Sequence, residues 1–289
     1  MHPETVTTAA IGLDIRRDTF YLAEVTRRED GFEVSRLHQA KVAEAAAEFM
    51  LPGVQLAVAV PDASVMVKNL LIPASSPGAV ESVVSFELAE SLLEDLSEFR
   101  FQTVPTGQPG RYLGLIYRRE SLRELTARLG VPETEAAQVT HLLRALALGR
   151  GYLAFCERAA GELIGLVDLG GDTASVCLLL QNGVVDLASV DLRGFDLTHD
   201  TGRKQFAIDL KTVVNFRRAA LQDRGVGLPL STIILSGDNV DGRLREMVRG
   251  YFPGGVEAPR FRLGLFRPEC GLAETNPEHY LVALGLAAN

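Results

Sequence analysis

Little in this chain points to the common enzyme chemistries. Cysteine occurs only at positions 156, 177 and 270, an odd and widely spaced set that supports neither a disulfide framework nor a zinc knuckle and fits a reducing compartment. The five histidines, at 2, 38, 141, 199 and 279, include no pair at metal-ligand spacing, so no metal cluster is read. Ser64, Ser85 and Ser175 lie outside any Gly-x-Ser-x-Gly context, and no cysteine has a basic neighbour in sequence; serine and cysteine hydrolases have no support, and no catalytic residue is assigned. Basic residues never cluster beyond two in a row and the formal charge is −8, which argues against a nucleic-acid surface, because neutralising phosphates needs concentrated positive charge. Long apolar runs are missing too. The most apolar stretch, Leu163 to Leu180, is broken by Asp168, Gly170, Gly171 and Asp172, so none supplies the ~20 residues of a membrane helix. The start, Met1 to Ala10, has neither a basic nor an apolar region and is not read as a signal peptide. With 289 residues, 47% of them hydrophobic, two ordinary domains with real cores are expected.

What the chain does have is a near-repeat. Ile11-Gly12-Leu13-Asp14-Ile15-Arg16-Arg17-Asp18-Thr19 and Gly165-Leu166-Val167-Asp168-Leu169-Gly170-Gly171-Asp172-Thr173 each run apolar residues into Asp, then reach Asp-Thr at the same spacing. A second apolar stretch follows in both, ended by Asp30-Gly31 in one copy and Asn182-Gly183 in the other, both strong hairpin turns. A strand-turn-strand unit used twice predicts two related lobes facing a cleft, with one carboxylate from each pointing in.

Periodicity supplies the rest. Strands are read over 9–15, 19–25, 31–42, 54–60 and 65–72, a helix over 76–96 with Ser76-Pro77 as its start, strands over 99–104 and 112–117, and a helix over 119–129 ended by Gly130. Residues 54–130 then form a small α+β module beside the first meander. An amphipathic helix over 136–148 precedes the second lobe, which opens at Leu163. Its hairpin spans 175–180 and 184–190, followed by a helix over 203–222, a strand over 232–235, the turn Ser236-Gly237-Asp238-Asn239, a helix over 241–249, a strand over 256–261 and a helix over 277–288.

Asp14 and Asp168 sit where strands turn, and two opposed carboxylates could hold a hydrated Mg²⁺. Gly170-Gly171 would let backbone approach a phosphate, although Asp at strand ends and a Gly-Gly turn are also ordinary turn chemistry. Arg16 stands where the second copy has Gly170, and with Arg17 it takes the room a backbone cradle needs. Asp238 puts negative charge where a helix N-terminus would otherwise attract an anion, and its plain role is a helix cap. The acidic residues of 81–95 read as a solvated helix face.

Several blocks resemble the actin-like ATPase fold and, within it, the PilM family of type IV pilus assembly proteins, with the GspL cytoplasmic domain of type II secretion and FtsA as relatives. Ile11-Gly12-Leu13-Asp14 is similar to the first phosphate motif, Val167 to Thr173 to the second, and Ile234-Leu235-Ser236-Gly237 to the adenosine motif. Val58-Ala59-Val60-Pro61 through Ile72-Pro73, with Phe86-Glu87, resembles the PilM inserted subdomain, and 281–287 its closing helix. The resemblance implies an α/β, ribonuclease H-like duplicated fold. Its first lobe would span 1–150 with an insert at about 50–130, its second 151–289, with the last helix packing back on the first. It implies a cytoplasmic protein, peripheral to the inner membrane through its partners, that binds the N-terminal tail of a PilN-like bitopic membrane protein and other assembly-platform components.

A nucleotide, if bound, would engage Asp14, Asp168, Gly170, Gly171, Thr173 and Gly237. The chain departs from nucleotide-binding members at Arg16-Arg17, at Asp238, and in having room for a single long helix between Leu197 and Ser236, where Ala207 to Lys211 is what remains of their Glu-x-x-Lys helix. The expectation is an adaptor with a degenerate site and no cofactor. The alternative is a nucleotide switch using ATP and Mg²⁺. A metabolic sugar or acetate kinase of the same superfamily is disfavoured by the short second lobe and the lack of a substrate-binding block.

Overall fold

A computed structural model of the chain describes residues 8–29, 31–42, 54–72, 82–84, 86, 87, 89, 90, 92, 95–131, 136, 138–180, 183–272 and 275–289. β1 (Thr8–Arg16), β2 (Thr19–Arg28) and β3 (Gly31–Lys41) form an antiparallel meander, and β4 (Gln55–Val60) returns parallel to β1. Next comes a three-stranded module of β5 (Val65–Leu71), β6 (Phe99–Pro105) and β7 (Arg111–Arg118), with α1 (Arg119–Arg128) after it. β8 (Thr140–Leu143) rejoins the first sheet beside β4 and leads directly into α2 (Arg144–Phe155).

The second sheet repeats the plan. β9 (Leu163–Gly170), β10 (Thr173–Leu180) and β11 (Gly183–Asp191) make the meander, α3 (Asp200–Asp223) crosses over, and β12 (Leu230–Gly237) pairs parallel to β9. After α4 (Gly242–Arg249) comes β13 (Val256–Glu257), and α5 (Leu281–Ala287) ends the chain. The strand orders, β3-β2-β1-β4-β8 and β11-β10-β9-β12-β13, are the same with two sets of labels.

The duplication extends to single residues. Arg16 pairs with Thr19 and Gly170 with Thr173, each closing a two-residue turn. The first turn residue is left-handed in both, Arg17 at φ 53° and Gly171 at φ 69°. Asp14 faces Tyr21 across one ladder and Asp168 faces Ser175 across the other.

Helices α2 and α5 lie against each other between the sheets. α5 packs on β1, β2 and β4, and α2 reaches β9, β10 and β11. Glycines permit this closeness: a Cβ on Gly285 would stand 1.8 Å from the Ala147 carbonyl oxygen, and one on Gly151 would stand 2.1 Å from that of Leu281. One continuous apolar cluster therefore joins Leu13 and Val58 of the first sheet to Leu166, Cys177 and Leu187 of the second. Behind the second sheet, Phe206, Leu210 and Val214 of α3 and Leu244 and Val248 of α4 close a separate core.

Four sequence readings change. Within the helix read over 136–148, residues 140–143 are a strand, β8, and the helix after it begins only at Arg144. Residues 141–148 are all buried, and a run buried on every side carries no helical stripe to read. That helix extends through residue 150, where the sequence reading divides the chain. The strand read over 256–261 shortens to two residues. The terminal helix starts as a 3₁₀ turn, Pro277–Tyr280, capped by the Asn276 side chain. Residues 82–84, 86, 87 and 89 are helical, while Ser76-Pro77, Asp30 and Asn182 lie outside the described residues.

Candidate functional site

The cleft between the sheets is occupied by the chain's own arginines. Asp14 lies two residues before the end of β1 and Asp168 two before the end of β9, both fully buried. Arg16, two residues past Asp14 on the same side of the strand, turns inward with its side chain 1% exposed. Its Nε donates to Asp14 Oδ2 at 2.8 Å, Nη2 to Asp168 Oδ2 at 3.2 Å and the His279 carbonyl at 2.8 Å, and Nη1 to Asp238 Oδ1 at 2.9 Å and the Leu169 carbonyl at 3.3 Å. The five contacts match the five N–H groups of a guanidinium. The cation also lies 4.5 Å from the centre of the Tyr21 ring, whose hydroxyl donates to Asp238 at 2.9 Å.

Arg144, the first residue of α2, enters from the other side. Its Nε and Nη2 donate to the two oxygens of Asp14 at 3.0 and 3.2 Å, Nη2 also donates to Asp168 Oδ2, and Nη1 donates to Ser175 Oγ at 2.8 Å. The Ser175 hydroxyl donates to Asp62, which accepts the Ala145 amide at 2.9 Å through its other oxygen. The Ser236 hydroxyl donates to Asp168 Oδ1 at 2.9 Å. All four carboxylate oxygens of Asp14 and Asp168 are thus engaged by the protein.

Electrostatics follow from this packing. Burial raises the Asp14 pKa, but Arg144 and Arg16 outweigh it and hold the carboxyl below the usual range. Burial likewise favours loss of the proton from both arginines, and the surrounding aspartates more than reverse it. Asp62 is different. Burial dominates over its bonds to Ser175 and Ala145 and pushes its pKa up to about 6.

The glycines read as phosphate-loop residues have other reasons to be glycine. A Cβ on Gly170 would stand 2.0 Å from Arg144 Nη2, so Gly170 makes room for an internal guanidinium. Gly237, at φ 102°, would put a Cβ 2.2 Å from the Leu169 carbonyl oxygen, and its successor's amide donates to that oxygen at 2.7 Å. Gly171 needs its positive φ more than its space. Thr173 is half-buried at the mouth. Asp238 is not a helix cap: Asp241 caps α4, accepting the Leu244 amide at 2.7 Å, while Asp238 receives Arg16 and Tyr21.

Two open cavities of about 520 and 480 Å³ flank the arginines, both touching Arg16, Arg17, Gly170 and Gly171. Neither is lined by Asp14 or Asp168. No protein-family model matches the sequence, and no curated protein matches it. Among solved structures, a chain of the PilM–PilN type IV pilus biogenesis complex superposes with TM-score 0.65 at 17% identity, over 96% of this chain and 97% of its own. A Bacteroides thetaiotaomicron protein described as having an actin-like ATPase fold superposes at 0.52 with 7% identity, over 98% of this chain and 96% of its own. The fold is that of the actin-like ATPases. The cytoplasmic domain of EpsL, an inner membrane component of the Vibrio cholerae type II secretion system, aligns at 0.46 with 14% identity over 84% of this chain and 94% of its own, and the assignment does not depend on it.

In this actin-like fold Asp14 and Asp168, bonded as they are to Arg16 and Arg144, do not fit a Mg²⁺ ion between them. A divalent cation between Asp14 and Asp168 would find no free oxygen and would sit against two fixed positive charges. Among the described residues no other group of carboxylates, histidines or cysteines is placed to hold a metal, and no helix is long and apolar enough to cross a membrane. Sequence reasoning found Asp14, Asp168 and the obstruction by Arg16. It missed Arg144, Asp62, Tyr21 and the partnership of Ser175. Arg144 had a signal: it is the one charged residue in Leu142-Leu143-Arg144-Ala145-Leu146-Ala147-Leu148.

Proposed function

We propose that this chain is a cytoplasmic actin-fold adaptor of a type IV pilus or type II secretion-like inner-membrane platform, working by binding partners and not by turning over nucleotide. The observation that carries the nucleotide-free part is the filling of the cleft by Arg16 and Arg144, which engages both carboxylates a Mg²⁺ would need. The partner proposed is the short cytoplasmic N-terminal tail of a PilN-like bitopic membrane protein, supported by the likeness in fold to a chain of the PilM–PilN complex. Membrane association would then come through partners.

Isothermal titration separates the readings. Mg-ATP up to millimolar concentration is expected to give no heat of binding with the wild-type chain, and a synthetic PilN-like tail is expected to bind equally well with and without EDTA. Micromolar Mg-ATP binding would overturn the degenerate site in favour of a nucleotide switch. Failure of such tails to bind would overturn the adaptor reading.

A further inference from the structure

The arginines do more than exclude a cation. Arg16 is carried by β1 and Arg144 begins α2, straight after β8 of the first sheet, yet each donates to carboxylates on both sides of the cleft: to Asp14 of the first sheet and to Asp168 of the second. Arg16 adds Asp238, past β12, and the backbone of His279. Asp62, after β4, reaches the Ser175 hydroxyl on β10.

The inserted module makes a second bridge. Arg111 donates to the Arg224 carbonyl at 2.7 Å, Asn69 to Asp186 of β11 at 3.5 Å, and the Gly107 turn lies so close to Gly183 that a Cβ on Gly183 would stand 2.6 Å from it. Both sides of the cleft are tied.

We propose that Arg16 and Arg144 form an internal clasp that holds the two lobes in one fixed relation, replacing an exchangeable ligand with covalently attached cations. The proposal rests on the cleft being filled from within, as in the functional reading, but not on the identity of the partner. A removable ligand lets a cleft open when it leaves, because only differential affinity for the two states shifts their balance. A guanidinium on the chain never leaves. Its local concentration is fixed by the fold, and both ends of the bridge are buried, where ion pairs are screened least by salt. Any surface composed of residues from both lobes is therefore present at all times, with no nucleotide cycle to create or dissolve it.

Single-molecule energy transfer tests this. Labels at cysteines introduced by Arg27→Cys on β2 and Lys204→Cys on α3, both exposed, report the lobe separation, and the natural cysteines are buried. The wild-type background is expected to show one distance, unchanged by Mg-ATP or EDTA. Arg144→Met, of similar length but uncharged, is expected to shift or split that distribution. A folded Arg144→Met chain with an unaltered single distance would overturn the clasp while leaving the adaptor reading intact. Should that variant not fold, the wild-type arm decides alone: two populations, or a shift on adding Mg-ATP, overturns the clasp, and only titration heats speak to the adaptor reading.

Discussion

A buried arginine is tolerated when its N–H groups are met and its charge is matched, and both conditions hold for Arg16 and Arg144. Removing one partner of such a pair typically costs about 3–5 kcal/mol because the remaining charge is stranded. The least satisfied member of the network is Asp62. Its carboxyl titrates near 6 in the folded chain, above its unfolded value, so between these two values the folded chain holds a proton that the unfolded chain has released. Stability contributed through Asp62 is therefore present at low pH, falls as pH rises from about 4 to about 6, and then levels. Asp62→Asn is expected to gain on the wild type across that window by on the order of 3 kcal/mol, from a shift of about two pH units. Urea unfolding of both chains at pH 4, 5, 6 and 7 measures the difference, and a flat difference would refute it. At this scale the sequence was half legible. Asp14, Asp168 and Arg16 stood out through the repeat, whereas Asp62 and Ser175 matter only because β4 and β10 bring them together, a pairing across 113 residues that no local pattern encodes.

The elements were more readable than their junctions. The hairpins β1–β2 and β9–β10 announced themselves through two apolar runs around a two-residue turn, and the turn chemistry survives the change from Gly171 to Arg17 because both take positive φ. That conformation costs a non-glycine residue about 1–2 kcal/mol. The β8–α2 junction was not readable, because a strand and a helix both buried on all faces merge into one apolar run. The same tight burial makes α2 and α5 sensitive to single atoms. Gly285→Ala places a methyl against the backbone of Ala147 and Gly151, atoms that cannot rotate away, and should cost about 3 kcal/mol, the upper end of ordinary overpacking. A lowered midpoint in urea, with an unchanged slope, is the expected result; an unaltered midpoint would show that the helices can separate freely.

For the whole molecule, the question is whether two lobes behave as one. An apolar cluster running from β1 through α2 to β10, with charged bridges at the cleft and at the inserted module, is shared by both lobes, so neither can unfold without exposing part of the other. Calorimetry is expected to show a single unfolding transition with equal calorimetric and van't Hoff enthalpies. Two resolved transitions would mean that the lobes fold separately. The overall plan was visible in sequence because duplication repeats its signals 154 residues apart in Asp14 and Asp168; of the cleft's content only Arg16 was, since Arg144 arrives from a third element. Gly170 shows what this means for classifying chains of this fold. A glycine at that turn fits equally well a chain that admits a phosphate and one that admits its own Arg144. A search keyed to the glycine alone would count both together, whereas the residue opening the helix after β8 is the one to read beside it, because in this chain Arg144 takes the room that Gly170 leaves.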